Sequence, residues 1–200
     1  MTEPTACCVA RCCSPSVYCG NCDVLVGLDG LHVLEVVVAD DHLRVRVESP
    51  PGLMGCPTCG VVALSHGRGE VELIDAPCFG RPVTVVWWKR TWSCPEDGCP
   101  VSVFTEQDEE VARPRGLLTT RACWWAVRQL RREHASVLGL ARQLGTTWKT
   151  VWRSIKPLLE VMDVDPTRFV LSAGVEILGV DEHIWHHVSP LKRGPKELTC

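Results

Sequence analysis

The most specific chemistry in this sequence lies in two cysteine pairs. "CPTCG" spaces Cys56 and Cys59 by two residues, and "CPEDGC" supplies Cys94 and Cys99. A two-residue spacer lets a tight knuckle turn two thiolates onto one ion, and a second pair closes a tetrahedron around it. The 34 residues between the pairs contain strand-like runs that would carry the second pair back to the first. That is zinc-ribbon geometry, with a structural Zn2+ on Cys56, Cys59, Cys94 and Cys99. A redox pair would want a CxxC opening a helix in a βαβ setting, which Pro57 and Gly60 amid strands do not supply. A catalytic zinc needs an open coordination position, and four cysteines leave none.

The chain has 13 cysteines in all. An odd count, together with a start that does not read as a signal peptide, favours metal-holding thiolates over disulfides. Cys7, Cys8, Cys12, Cys13, Cys19 and Cys22 lie among small residues without periodicity, so residues 1–23 read as a flexible leader with free thiols. A second metal site on Cys19 and Cys22 with Cys12 or Cys13 is the alternative there. Cys78 reads as a buried thiol between strands, and His66 as a surface histidine.

A third constellation is "LGVDEHIWHH", where an apolar run delivers Asp181 onto His183, His186 and His187. On a helix, His183 and His187 would share a face, as in a His/Asp metal site of a hydrolase. Gly179 and the β-branched residues before it favour a strand ending in a carboxylate instead.

These groups need elements to hold them. "HVLEVVVADDHLRVRVE" (32–48) alternates around Ala39-Asp40-Asp41 as a β-hairpin would, and "SPPG" ends it. Two more strand-like runs, "VELI" and "VTVVWWKRTW", flank "DAPCFGRP" within 71–92. The acidic "TEQDEE" closes this half, with Pro114 and Gly116 at the boundary. From 117 the period becomes helical. Cys123, Val127, Leu130 and His134 recur on one face, with Arg121, Arg128 and Arg132 on another, where they are expected to add charge against a DNA backbone. Two further helices are expected at about 137–144 and 148–160.

The stretch "VLGLARQLGTTWKTVWRSI" has a helix-turn-helix pattern. Leu140, Ala141 and Leu144 form an apolar face, Gly145 suits a left-handed turn, and Thr147 suits an N-cap. Val151 and Ile155 would pack the second helix inward, leaving Lys149, Thr150 and Arg153 to meet a major groove. An ordinary helical hairpin with solubilising arginines is the bland alternative. Charge favours DNA: residues 1–110 carry 7 Lys/Arg against 16 Asp/Glu, whereas residues 111–160 carry 10 against 2. Trp148 and Trp152 are expected at the core or a groove rim rather than as stacking platforms for single strands. Net charge is −3, 46% of residues are hydrophobic, and no run of eighteen apolar residues occurs, so a soluble, cytoplasmic, nucleoid-associated protein is expected.

Taken in order, "CPTCG", "WSCPEDGC", "LARQLGTTWKTVWR" and "LGVDEHIW" resemble the N-terminal half of a bacterial DDE transposase of the ISL-three type, across about residues 24–200. The resemblance implies a ribonuclease-H-like catalytic domain whose first strand carries Asp181 as the first catalytic carboxylate. It also implies Mg2+ for two-metal phosphoryl transfer, with the neighbouring histidines not required. Implied partners are double-stranded DNA, at the terminal inverted repeats of an insertion sequence, and a second copy in a homodimer. The family needs a further Asp and Glu downstream, whereas this sequence ends nineteen residues after Asp181. A truncated, catalytically inactive fragment is therefore expected.

The expected fold is α+β. It comprises a leader (1–23), a β-hairpin and β-rich zinc ribbon (24–110), helix-turn-helix helices (111–165), and the first strands of a truncated ribonuclease-H-like domain (170–200). A zinc-ribbon and helix-turn-helix transcription regulator without catalysis remains the alternative.

Overall fold

A computed structural model of the chain describes residues 18–163. Asp181, its histidines, the strand expected to end at Asp181 and Cys7 to Cys13 lie outside the described residues. The described part is a mixed α+β structure, with a five-stranded sheet and a helical bundle packed against one of its strands.

β1 (His32–Val38) and β2 (Leu43–Glu48) pair antiparallel through the turn at 39–42. β3 (Leu64–Cys78) and β4 (Arg81–Ser93) form a long hairpin that reverses at Phe79-Gly80. β2 lies parallel to β4, so the order is β1-β2-β4-β3. The short β5 (Val103–Thr105) pairs with the last residues of β4. Alternation decides the faces: Leu43, Val45 and Val47 of β2 and Val83, Val85 and Trp87 of β4 are all buried in one core. On the opposite face, Arg44 donates to Glu72 at 2.6 Å, Arg46 to Glu70, and both Arg46 and Arg68 stack on the Trp88 ring.

Helix α1 (Gly20–Val26) begins within the segment read as leader. Cys19 is its N-cap, and Cys22 is buried in the sheet core. A seven-residue helix is held by that packing rather than by its own propensity. Cys78, expected to be buried, is exposed, because β3 ends there at the solvent-facing turn. His66 is exposed, as expected of a surface histidine.

The basic region folds as α2 (Thr120–Arg132), α3 (Val137–Gln143) and α4 (Trp148–Asp163). Thr119 caps α2 and Ser136 caps α3, each side chain accepting from an amide three residues on. The α2–α4 core contains Ala126, Val127, Leu140, Leu144, Val151 and Ile155, and Ile74 of β3 packs against it. Backbone bonds stitch the two parts. The Ile74 N–H donates to the Leu117 carbonyl at 2.8 Å, and the Thr119 N–H donates to the Ile74 carbonyl at 2.9 Å. Beside them Asp75, fully buried, accepts from the Thr119 hydroxyl at 2.6 Å and from Arg121 Nε at 2.8 Å. Among the described residues, no helix is long and apolar enough to cross a membrane.

Candidate metal centre and nucleic-acid interface

The four cysteines meet at one end of the β3–β4 hairpin. Antiparallel register sets Leu64 opposite Ser93, and Ser93 opposite Val103. The knuckle before β3 and the loop between β4 and β5 are therefore side by side. In the first knuckle the Cys56 N–H donates to the Val61 carbonyl and the Gly60 N–H to the Cys56 carbonyl, with Gly60 at φ 75. Such a left-handed turn favours glycine. In the second, the Cys94 N–H donates to the Ser102 carbonyl and the Cys99 N–H to the Glu96 carbonyl.

All four Sγ atoms lie within 4.8 Å of one another, with Cys56 to Cys99 at 3.7 Å and Cys59 to Cys94 at 3.5 Å. A disulfide would need about 2.05 Å. Four sulfurs about 2.3 Å from a central ion stand about 3.8 Å apart, so this cluster has the size of a tetrahedral thiolate site. Amides of Cys59 and Thr58 point at Cys56 Sγ and bring its pKa down to about 6. At Cys94 the Glu96 amide lowers the pKa, but burial and the neighbouring sulfurs outweigh it and push it up to about 12. One thiolate is welcome here and several are not, unless a cation joins them. The donor set can hold a metal ion such as zinc.

The second site is the helical unit. Leu144 ends α3, and Gly145 follows at φ 65. The Gly145 N–H donates to the Arg142 carbonyl at 3.2 Å and the Thr146 N–H to the Ala141 carbonyl at 2.9 Å, which is a Schellman turn. Thr147 then starts α4, its hydroxyl accepting from the Thr150 N–H at 3.2 Å. Val151 and Ile155 are completely buried, which rotates the opposite side of α4 outward. Lys149 and Arg153 are exposed there, and Thr150 is half-buried. Trp148 and Trp152 are 54% and 39% exposed, outside the core.

The arginines of α2 divide. Arg128 and Arg132 are exposed. Arg121, expected to face DNA, lies against Asp75, and its Nη1 also donates to the Val26 and Gly27 carbonyls at the end of α1. Its charge serves the junction of three elements. Nothing in the period of α2 separates Arg121 from Arg128, since the acceptor sits 46 residues away on β3.

A groove of about 510 Å³ opens between α4, α2 and the segment before α2. Arg113, Arg115 and Arg153 line it, with Thr150 and Trp124. In the sequence Pro114 and Gly116 mark only a boundary, and the two arginines interleaved with them carry no periodic signal that would have singled them out.

Residues 109–158 match the family model of the helix-turn-helix domain of transposase family ISL3. That quarter of the chain spans α2, α3 and most of α4, and the likeness suggests a DNA-binding unit of the transposase kind. No curated protein and no solved structure matches the chain significantly.

Proposed function

We propose that this chain is part of an ISL3-type DDE transposase and that α4 reads the terminal inverted repeats of an insertion sequence from the major groove. The observation that carries this reading is the coincidence, over the same residues, of the family likeness with a helix-turn-helix whose second helix buries Val151 and Ile155 and exposes Lys149 and Arg153. Lys149 and Arg153 can bond guanine edges or phosphates, and Thr147 and Thr150 can contact either. Arg128 and Arg132 add backbone charge. Zn2+ on Cys56, Cys59, Cys94 and Cys99 would pin the far end of the β3–β4 hairpin as a zinc ribbon. Asp181 is the proposed first carboxylate of a ribonuclease-H-like domain that uses Mg2+. DNA ends are brought together by a second protomer, which makes a homodimer the expected assembly.

The test is a titration of labelled terminal-repeat duplex with the parent and with Lys149→Ala/Arg153→Ala. The double variant should bind at least severalfold more weakly, with the protein still folded. Equal binding by parent and variant would remove α4 from the reading.

A further inference from the structure

Residues 113–116, "RPRG", form a tight turn: the Gly116 N–H donates to the Arg113 carbonyl at 2.9 Å. Pro114 takes the second position, and Arg115 takes the third at φ 60. That is the arrangement of a type II turn, whose third position ordinarily belongs to glycine or asparagine. The fourth position is constrained as well, since a Cβ at Gly116 would lie 2.9 Å from the Arg113 carbonyl oxygen. An arginine is thus kept where its own backbone conformation is unfavourable.

Both arginines of the turn are exposed, and both line the 510 Å³ groove that α4 enters with Thr150 and Arg153. Among the described residues no carboxylate pairs with Arg113, Arg115 or Arg153, and Glu109 is the one acid on the groove wall. Cys123 lines the same groove as Arg113; burial lifts its thiol to about 11, and the Arg113 charge opposes the rise. A concave, cation-lined channel beside a recognition helix suits a convex phosphate backbone. The groove shares Arg153 and Thr150 with the face of α4 that reads DNA, so one duplex can fill both.

Building on the helix-turn-helix reading, we propose that the 113–116 turn is a phosphate clamp: Arg113 and Arg115 grip the DNA backbone flanking the major groove that α4 enters. Proline and the closed turn fix the backbone in advance, so little ordering is left to be done on binding. The clamp recognises duplex backbone and carries no base preference.

The experiment compares the parent, Arg113→Gln/Arg115→Gly and Lys149→Ala/Arg153→Ala on a terminal-repeat duplex and a scrambled duplex of equal length, between 50 and 200 mM salt. Glycine at 115 keeps the turn and relieves its conformation, so thermal stability should not fall. The turn variant should bind both duplexes about tenfold more weakly, with the log–log salt slope shallower by about 2, near 0.9 for each phosphate no longer neutralised. Lysine at both positions should restore most of the binding. Unchanged affinity and slope in the turn variant, with the α4 variant impaired, would overturn the clamp alone. Weakening confined to the terminal-repeat duplex would also overturn it, since that is base reading. A parent that binds neither duplex would overturn the clamp together with the helix-turn-helix reading.

Discussion

Arg121 and Arg128 are two turns apart on one helix, yet they belong to different parts of the molecule. Arg121 compensates an aspartate with no solvent contact, whereas Arg128 faces water. Removing one partner of a buried pair typically costs ~3–5 kcal/mol, because the other charge is left uncompensated. The outer side of Arg121 is partly solvated, so Arg121→Ala should cost toward the lower end, read as a fall in thermal midpoint or denaturant midpoint. Arg128→Ala should change stability by less than ~0.5 kcal/mol and act only on DNA affinity. Equal stability of the two variants would contradict the role given to Asp75. The cysteines are the other residue-scale case. Cys94→Ser should abolish binding of about one zinc per chain, and chelation of the parent should lower its thermal midpoint, because metal binding to such sites is coupled to folding. Folded, metal-free parent protein with an unchanged midpoint would refute a structural zinc. Spacing alone pointed to these four cysteines, since a knuckle is a local device. Spacing could not expose Asp75 or the exposure of Cys78, which depend on where β3 runs and ends.

At the scale of elements, α3, its turn and α4 were legible because each signal is local: apolar residues at helical spacing, a glycine for a left-handed step, a threonine cap. The β1–β2 hairpin was equally plain from its alternation. What the sequence hid is how elements meet. The parallel pairing of β2 with β4 joins residues about 40 apart, and the docking of Thr119 onto Ile74 is made of backbone atoms that any sequence carries. Helix α1 was missed because seven residues with a single cysteine, Cys22, show no period, and only the core beneath makes them helical. Gly145 joins the two kinds of information. Its φ of 65 is predictable from the turn, but a Cβ there would also lie 3.0 Å from the Pro82 Cβ. Gly145→Ala should therefore cost more than the ~1–2 kcal/mol of a left-handed alanine, as the helix-turn-helix also pushes against the β3–β4 hairpin. Chemical denaturation measures it, and a destabilisation well under 1 kcal/mol would show that the turn gives way freely.

Across the whole molecule, charge is sorted by fold. The sheet half is acidic and closes its arginines onto glutamates, as at Arg44–Glu72 and Arg46–Glu70, while the helical half holds 10 Lys/Arg against 2 Asp/Glu in residues 111–160. That asymmetry survives into the structure as Lys149 and Arg153 on α4 and Arg113 and Arg115 in the neighbouring groove, which pair with no carboxylate among the described residues, the pattern a polyanion-binding surface needs. It also orients the protein, because the acidic half would be repelled by the duplex the basic half attracts. The central claim is that α4 lies in the major groove of a specific DNA end. A photoreactive residue in place of Lys149 tests it most directly, with one in place of the exposed Val38 at the end of β1 as the control. The account predicts light-dependent crosslinks from position 149 to bases at one or two positions of the terminal repeat, lost on a scrambled duplex and absent from position 38. Crosslinks from position 149 that are absent, or no more frequent on the terminal repeat than on the scrambled duplex, would contradict it.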